Sequence, residues 1–288
     1  MRNPLRLKNN FIIVLLSGFF DGAAAWLRKI TGTDKELKKT KTLDKVKSEF
    51  ISIAAHQLRT PLTKIKWSLK SLMSGDYGAV NPRQLEVLKD GYLSNEKMIK
   101  LINDLLDLSK LEDMNLGYSF KKSKIEDIAE AAIESFSSMA KEKGVDLILK
   151  KPKAPVPPIT MDSRKISLVF GNLIDNALNY TPKGGKVEVA LENSGKHVTV
   201  SVRDNGIGIP EEDIKGIFTR FFRAKNAIRI KTDGTGLGLY IAKSIVKIHG
   251  GNMRVESEEG KGTVFYFTIP LHPEGEVRRN IEIFLKSI

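Results

Sequence analysis

The 288 residues carry 47 Lys and Arg against 34 Asp and Glu, a formal net charge of +13, with 41% hydrophobic residues and no cysteine. This is the balance of a globular chain of about two domains, which excludes collagen-like, low-complexity and disulfide-stapled classes. Without cysteine there is no thiolate nucleophile and no Cys-based zinc site. The four histidines, His56, His197, His249 and His272, show no metal-ligand spacing, so any bound metal should be a hard, oxygen-liganded ion such as Mg2+. Residues 1–50 hold eleven Lys and Arg but only five Asp and Glu. That skew suits a membrane-proximal segment at least as well as a DNA-binding face. No recognition motif supports nucleic acid as a partner, and a basic balance also fits a protein that handles a polyphosphate and an acidic partner.

The most apolar run is Phe11 to Leu27. Its seventeen residues include Asp21 and two glycines, and it lies at the short limit for a membrane span. Residues 1–30 therefore read either as a hydrophobic anchor, associating with the membrane through residues 11–27, or as a soluble or interface-lying helix. In the first case the remainder would sit on the cytoplasmic face. Residues 31–42 form a lysine-rich linker helix.

Leu43, Val46, Phe50 and Ile53 follow coiled-coil spacing, and the stripe resumes with Leu58, Leu62, Ile65, Leu69 and Leu72. His56 falls in the gap between the two stretches, in the sequence Ala55-His56-Gln57-Leu58-Arg59-Thr60-Pro61-Leu62. Pro61 lacks an N–H and clashes with the preceding turn, so a bend is expected just after His56. Ser74 to Pro82 is a turn by composition, and a second amphipathic helix is expected over Arg83–Leu111. Such a hairpin leaves an apolar stripe uncovered, and two copies would close it as a four-helix bundle. A homodimer follows, with residues 43–114 as its dimerisation domain.

From residue 115 to 271 the pattern changes to mixed α and β. Strands are expected at Tyr118–Lys121, Val145–Leu149, Val187–Leu191, Val198–Val202, Met253–Glu256 and Thr263–Ile269. Helices are expected at Lys124–Lys143, Ser163–Tyr180 and Leu237–His249, with a Pro-rich loop over Lys151–Pro158. The expected fold class is a helical hairpin followed by an α/β sandwich with helices on one face. Residues 272–288 form a tail with an amphipathic pattern.

Three stretches of this second domain carry chemistry. Asn172, Asn176 and Asn179 line one helix face at i, i+4, i+7; asparagine is a mediocre helix former, and a merely solvated face would be better served by Glu or Lys. Their carboxamides can ligate Mg2+ through oxygen and donate to phosphate through nitrogen. Asp204-Asn-Gly206-Ile-Gly208-Ile-Pro210 follows a strand, where the carboxylate could accept from the exocyclic amine of a base. Taken alone it is equally an ordinary Asp-Gly turn. Gly234-Thr235-Gly236-Leu237-Gly238-Leu239 runs into a helix, a backbone that presents N–H groups to phosphate. No strand precedes it, which argues against a dinucleotide fingerprint, and no Gly-Lys-Ser/Thr follows, so it is not a P-loop. The basic stretch Ala224–Thr232 reads as an irregular, mobile lid.

In this order and spacing the three blocks resemble the sensor histidine kinases of two-component systems, with a Bergerat-type ATP-binding domain. Phe218-Thr-Arg-Phe-Phe-Arg223 is similar to the family's phenylalanine box, and the stretch from His56 to Leu62 to its phosphoacceptor box. Each block is weak alone; five in sequence over residues 43–270 are specific. The resemblance implies that ATP and Mg2+ are bound, Asn176 being the metal ligand and Asn172 supporting the phosphates. It places Asn179 and Tyr180 near the nucleotide, Asp204 on the adenine amine, and Gly206 and Gly208 in the pocket wall. Gly234, Gly236 and Gly238, with Thr235, Leu237 and Leu239, form the lid hinge and phosphate cradle. His56 becomes the phosphoacceptor, and an aspartate of a response regulator receiver domain takes the phosphoryl group from it.

Two positions depart from the pattern. Gln57 stands where the family commonly has an acidic residue that orients the imidazole and takes its proton. Asn179 stands where a lysine often contacts phosphate, and a lid residue such as Arg223 or Lys225 would have to supply that charge. Thr60 matches the position that places water for dephosphorylating the partner. Two other readings stay open: a gyrase-, chaperone- or mismatch-repair-like ATPase, and a nucleotide-binding scaffold without histidine phosphorylation.

Overall fold

The computed structural model describes residues 36–112, 118–152, 154–230 and 234–272. The segment 11–27, read as an anchor or as a soluble or interface-lying helix, and the tail beyond residue 272, for which an amphipathic helix was expected, lie outside the described residues. Among the described residues no helix is long and apolar enough to cross a membrane. Residues 48–288 form one compact unit, which carries everything that follows except the start of the first helix.

Helix α1 comprises Glu36–Ser74 and α2 Pro82–Glu112. Helix α1 continues through Pro61, next to which a bend was expected. The first helix is held there from the side. Asn95 of α2 is buried, and its amide donates to the Leu62 carbonyl at 2.9 Å, beside a small core of Ala55, Leu62, Ile102 and Leu106. Arg59 donates to Asn103 at 2.7 Å, and Lys66 pairs with Glu96 at 2.9 Å. Tertiary packing overrides the local cost of one missing helical hydrogen bond.

Beyond the hairpin come β1 (Lys121–Ser123), α3 (Ile125–Lys143), β2 (Asp146–Lys150), β3 (Ile159–Met161), α4 (Ser163–Tyr180), β4 (Lys186–Asn193) and β5 (His197–Asp204). Two short helices, α5 (Glu211–Ile214) and α6 (Lys225–Ile230), precede α7 (Gly238–Ile248), β6 (Met253–Glu258) and β7 (Gly262–Pro270). The main sheet runs β2-β4-β5-β7-β6, antiparallel except for the parallel β2–β4 pair. Strands β4 and β5 alternate buried and mostly half-buried residues, so one face holds Val187, Val189, Val198, Val200 and Val202 against the helices. Helix α4 buries Ile166, Val169, Phe170, Leu173, Ile174, Ala177 and Leu178 on that core, and α7 buries Ile241, Ala242, Ile245 and Val246.

The strand expected at Tyr118–Lys121 begins only at Lys121. Tyr118 and Phe120 instead stack on each other at 5.8 Å and enter the core beside His249. Their aromatic and apolar character came from packing, not from a ladder. The stretch over residues 224–232 is not wholly irregular either, since Lys225–Ile230 forms one short helix; the Lys225 N–H opens it by donating to Asp213 at 2.9 Å.

Asp162 ties three segments together. One carboxylate oxygen accepts from the Arg164 and Lys165 N–H groups and caps α4, while the other accepts from Ser119 at 2.7 Å. Its own N–H donates to His249 Nε2 at 3.0 Å, and His249 Nδ1 lies 2.8 Å from the Ile245 carbonyl. The ring is therefore neutral with its proton on Nδ1, since Nε2 must accept. Burial pulls its pKa below the ordinary value, against the opposing pull of the Ile245 carbonyl and the Asp162 charge.

The unfolded state then binds a proton more readily than the folded one, and this contribution to stability is lost as pH falls below about 6.5. His249→Ala should cost roughly 2–4 kcal/mol in chemical denaturation, from an unpaired buried N–H and a cavity. His249→Gln should flatten the fall in stability between pH 7 and 5 relative to the wild type; an unchanged slope would rule His249 out as its source.

Candidate nucleotide site

A cavity of about 470 Å³ opens between α4, the turn after β5, the residues after α5, the glycine loop, and α2 of the hairpin. That is the size range of small-molecule sites. Helix α4 supplies one wall. Its core stripe faces the sheet, so the i, i+4, i+7 row of Asn172, Asn176 and Asn179 faces the cavity with Tyr180. Asn172 Nδ2 is buried without a protein partner, a donor left for a ligand. Asn179 Nδ2 instead donates to Asp175 Oδ1 at 2.9 Å.

Asp204 ends β5 on the cavity wall and is 8% exposed. Its Oδ1 accepts from the Gly206 and Thr263 N–H groups at 2.9 and 3.2 Å, which leaves Oδ2 for the cavity. Burial raises its pKa to about 6, the two backbone N–H groups opposing. Gly206 does not itself line the cavity. It is buried against the end of α4, where a Cβ would lie 2.3 Å from the Tyr180 carbonyl, so its part is to hold Asp204 in place. Gly208 does line it, with φ of 65° and no room for a Cβ against Glu258, whose carbonyl would lie at 2.0 Å.

Arg223, Gly234, Thr235, Gly236, Gly238 and Leu239 also reach the wall. Besides Gly206, three residues expected there do not. Leu237 is fully buried and roots the glycine loop in the core, with its N–H donating to Thr235 Oγ1 at 3.3 Å. Phe218 packs edge-on to Phe265 at 6.3 Å under the Lys243 ammonium; Phe222 of the same box lines the cavity in its stead. Lys225 pairs with Glu212 at 2.8 Å and is absent from the wall.

Some lining residues were missed by sequence reasoning. Asn226 donates to the Gly208 carbonyl at 2.9 Å, and its buried Oδ1 has no partner. An asparagine inside a basic and apolar run was a signal that went unread. Glu96, Lys97, Lys100 and Asp104 of α2 are also on the wall. Lys100 Nζ lies 2.6 Å from Asp175 Oδ2, and Asp104 accepts from the Thr235 hydroxyl at 2.8 Å. These pairings join residues 75 and 131 positions apart, which no local pattern announces.

Gln57 and Thr60 are exposed on α1, and His56 belongs to the same helix. Among the described residues, no three His, Cys, Asp or Glu side chains cluster to hold a metal by themselves. A hard cation would therefore have to share phosphate oxygens with a carboxamide such as that of Asn176, which the donor set on α4 fits.

The model of the histidine kinase-, DNA gyrase B- and HSP90-like ATPases matches residues 161–273, and that of the His Kinase A phospho-acceptor domain matches residues 46–113. The chain is 36% identical over 275 residues to the sensor histidine kinase WalK of Bacillus subtilis (strain 168), a match that covers 94% of this chain and 43% of WalK. Full-length ShkA in complex with AMPPNP is 26% identical with a TM-score of 0.64, over 80% of this chain and 47% of that one. Histidine kinase ThkA in complex with response regulator protein TrrA shares the fold at 21% identity and a TM-score of 0.57, over 85% of this chain and 70% of that one. The chain thus spans less than half the length of WalK. A gyrase-like ATPase would leave residues 46–113 without a counterpart; with the phosphoacceptor and ATP-binding models both matched, in that order, the chain belongs to the sensor histidine kinases of two-component systems.

Proposed function

We propose that the chain transfers the γ-phosphoryl group of Mg-ATP to His56 and from there to an aspartate of a response regulator receiver domain. The observation that carries this reading is the cavity: a carboxamide row, a buried carboxylate with one free oxygen and a glycine loop converge on one space, downstream of a helix that holds a phosphoacceptor-type histidine.

Asp204 Oδ2 accepts the adenine amine, and Asn172 donates to phosphate oxygens. Asn176 would hold Mg2+, which would supply charge neutralisation to the phosphates. A neutral imidazole nitrogen of His56 forms the bond to γ-phosphorus as the bond to the β–γ bridging oxygen breaks, and ADP leaves with those electrons. The ring proton then departs to solvent, because the Gln57 carboxamide can orient a ring by hydrogen bonding but cannot act as a base. The ThkA–TrrA complex supports a receiver domain as the next acceptor. Thr60, exposed one turn after His56, would position water for hydrolysis of the phosphoryl group on the partner's aspartate, a secondary activity of the same reading.

Homodimerisation is part of the same reading. Ile53, Leu58, Ile65, Trp67, Leu72 and Val87 are all exposed on the hairpin, an apolar surface that a second hairpin would cover as a four-helix bundle. Ile65→Glu should shift the sedimentation equilibrium of the full chain from dimer towards monomer; an unchanged mass would remove this face from the interface.

Incubation with γ-labelled ATP and Mg2+ should give acid-labile, base-stable label on the wild type and none on His56→Ala or Asn176→Ala. Nucleotide binding with no label on any of the three would leave a scaffold. Gln57→Glu should raise the labelling rate several-fold, and an equal rate would show that the missing base is not limiting.

Asp204→Asn separates binding from stability. The amide oxygen must keep the two backbone N–H bonds, so its NH2 faces the adenine amine, donor against donor. ATP affinity should fall about tenfold or more. The free protein should become more stable. Because the folded pKa of Asp204, about 6, lies above the ordinary value of 3.8, its ionisation opposes folding above pH 6, by on the order of 2–3 kcal/mol at most. The gain in thermal stability should be full at pH 8 and vanish below pH 4; a variant that is less stable at pH 8 would contradict the burial argument.

A further inference from the structure

The charges that line the cavity come from two sources. Helix α2 of the hairpin brings Lys97 and Lys100, and Arg223 lies at the base of the lid; against them stand Glu96, Asp104, Asp175 and Asp204. Among the described residues positive and negative groups nearly balance, although the cavity on the reading above must receive a triphosphate. Among those residues the lysines on the wall, Lys97 and Lys100, both come from the hairpin.

Lys100 is held by an ion pair to α4. Its ammonium lies 2.6 Å from Asp175 Oδ2, and Asp175 occupies α4 between Asn172 and Asn176. Asp175 is in turn fixed by Asn179, whose Nδ2 donates to its other oxygen at 2.9 Å. The carboxamide of Asn179 is thus committed to orienting a carboxylate, and the carboxylate to orienting an ammonium. An ammonium has three donors, and the bond to Asp175 uses one of them. More than half of the Lys100 side chain remains accessible, at 55%. Burial disfavours its charge, but the charge and hydrogen bond of Asp175 outweigh that and hold its pKa above the ordinary value, so it is a cation at neutral pH. A second contact, from Asp104 to Thr235, pins the same face of α2 to the glycine loop 2.8 Å away.

We propose that Lys100 is a phosphate-binding residue, supplied by the phosphoacceptor hairpin to the ATP site and aimed by the Asn179–Asp175 pair. This rests on the kinase reading of the site and adds a consequence to it: the triphosphate is gripped from two sides, by the carboxamides and glycine loop of the sandwich and by an ammonium of α2. Adenine recognition through Asp204 is independent of the hairpin, whereas affinity for the phosphates is not.

The test is the dissociation constant of the full chain for ATP, ADP and adenosine, measured by titration calorimetry with Mg2+ and repeated in EDTA. Lys100→Ala should weaken ATP about tenfold or more and ADP less, with adenosine unchanged within twofold. Lys100→Arg should recover most of the ATP affinity. The order of losses should persist in EDTA, since it does not depend on the metal. Equal losses for ATP and adenosine would mean that Lys100 only straps the hairpin to α4, and an unchanged ATP constant would mean that the phosphates never reach it; either overturns the proposal while leaving the kinase reading intact. A wild-type chain that binds adenosine and ATP equally would overturn both.

Discussion

The site depends above all on where α4 lies, and α4 is fixed at both ends by hydrogen bonds to the backbone of other segments. At its start the Asp162 carboxylate caps the first turn and holds Ser119, while the Asp162 N–H is received by the buried His249. At its end the Tyr180 carbonyl accepts from Ile207 at 3.1 Å, with Gly206 pressed against it. Between these points one face of the helix is buried without exception, which leaves the asparagine row no choice but the cavity. A shift of the helix by one residue would rotate the row by about 100° and destroy both the core and the site. Packing and chemistry are two faces of one register.

That coupling explains what could be read from the sequence. The bounds of α4 were legible to the residue because Asp162 is an N-cap type directly before an apolar repeat and the helix stops before Thr181-Pro182. The strands of the main sheet were legible by alternation, and the central ones only came out longer at their ends, whereas the short strand β3 went unread. Tyr118 and Phe120 misled because aromatic residues in a short run satisfy a strand pattern and a core plug equally well. Leu237 and Phe218 misled in another way. They belong to recognisable blocks, but within those blocks they anchor the backbone while their neighbours meet the cavity. Block membership does not say which way a side chain points.

The hairpin's share of the site was out of reach of pattern alone. Glu96, Lys97, Lys100 and Asp104 sit at helical spacing on α2 and read as an ordinary charged face. Only the tertiary structure converts that face into part of the cavity wall, through Lys100 on Asp175 and Asp104 on Thr235. Exposed ion pairs contribute little to stability, about 0–1 kcal/mol each. The contact between hairpin and sandwich adds to these charge pairs the packing of Leu105 on the sandwich core.

The same economy governs the adenine end. Asp204 is held ionised at neutral pH in a place where burial raises its pKa to about 6, an arrangement that opposes folding until a donor arrives to satisfy Oδ2. Asn172 Nδ2 and Asn226 Oδ1 are in a comparable state, buried and without partners. Each of these groups costs the free protein on the order of 1–3 kcal/mol, offset by the continuous core of the sandwich beneath them. A ligand that supplies a donor to Asp204, acceptors to Asn172 and anionic oxygens near Lys100 removes several of these costs together. The site is thus complementary to a nucleotide through what it leaves unsatisfied, and the gain on binding is largely the relief of strain that the fold has already absorbed.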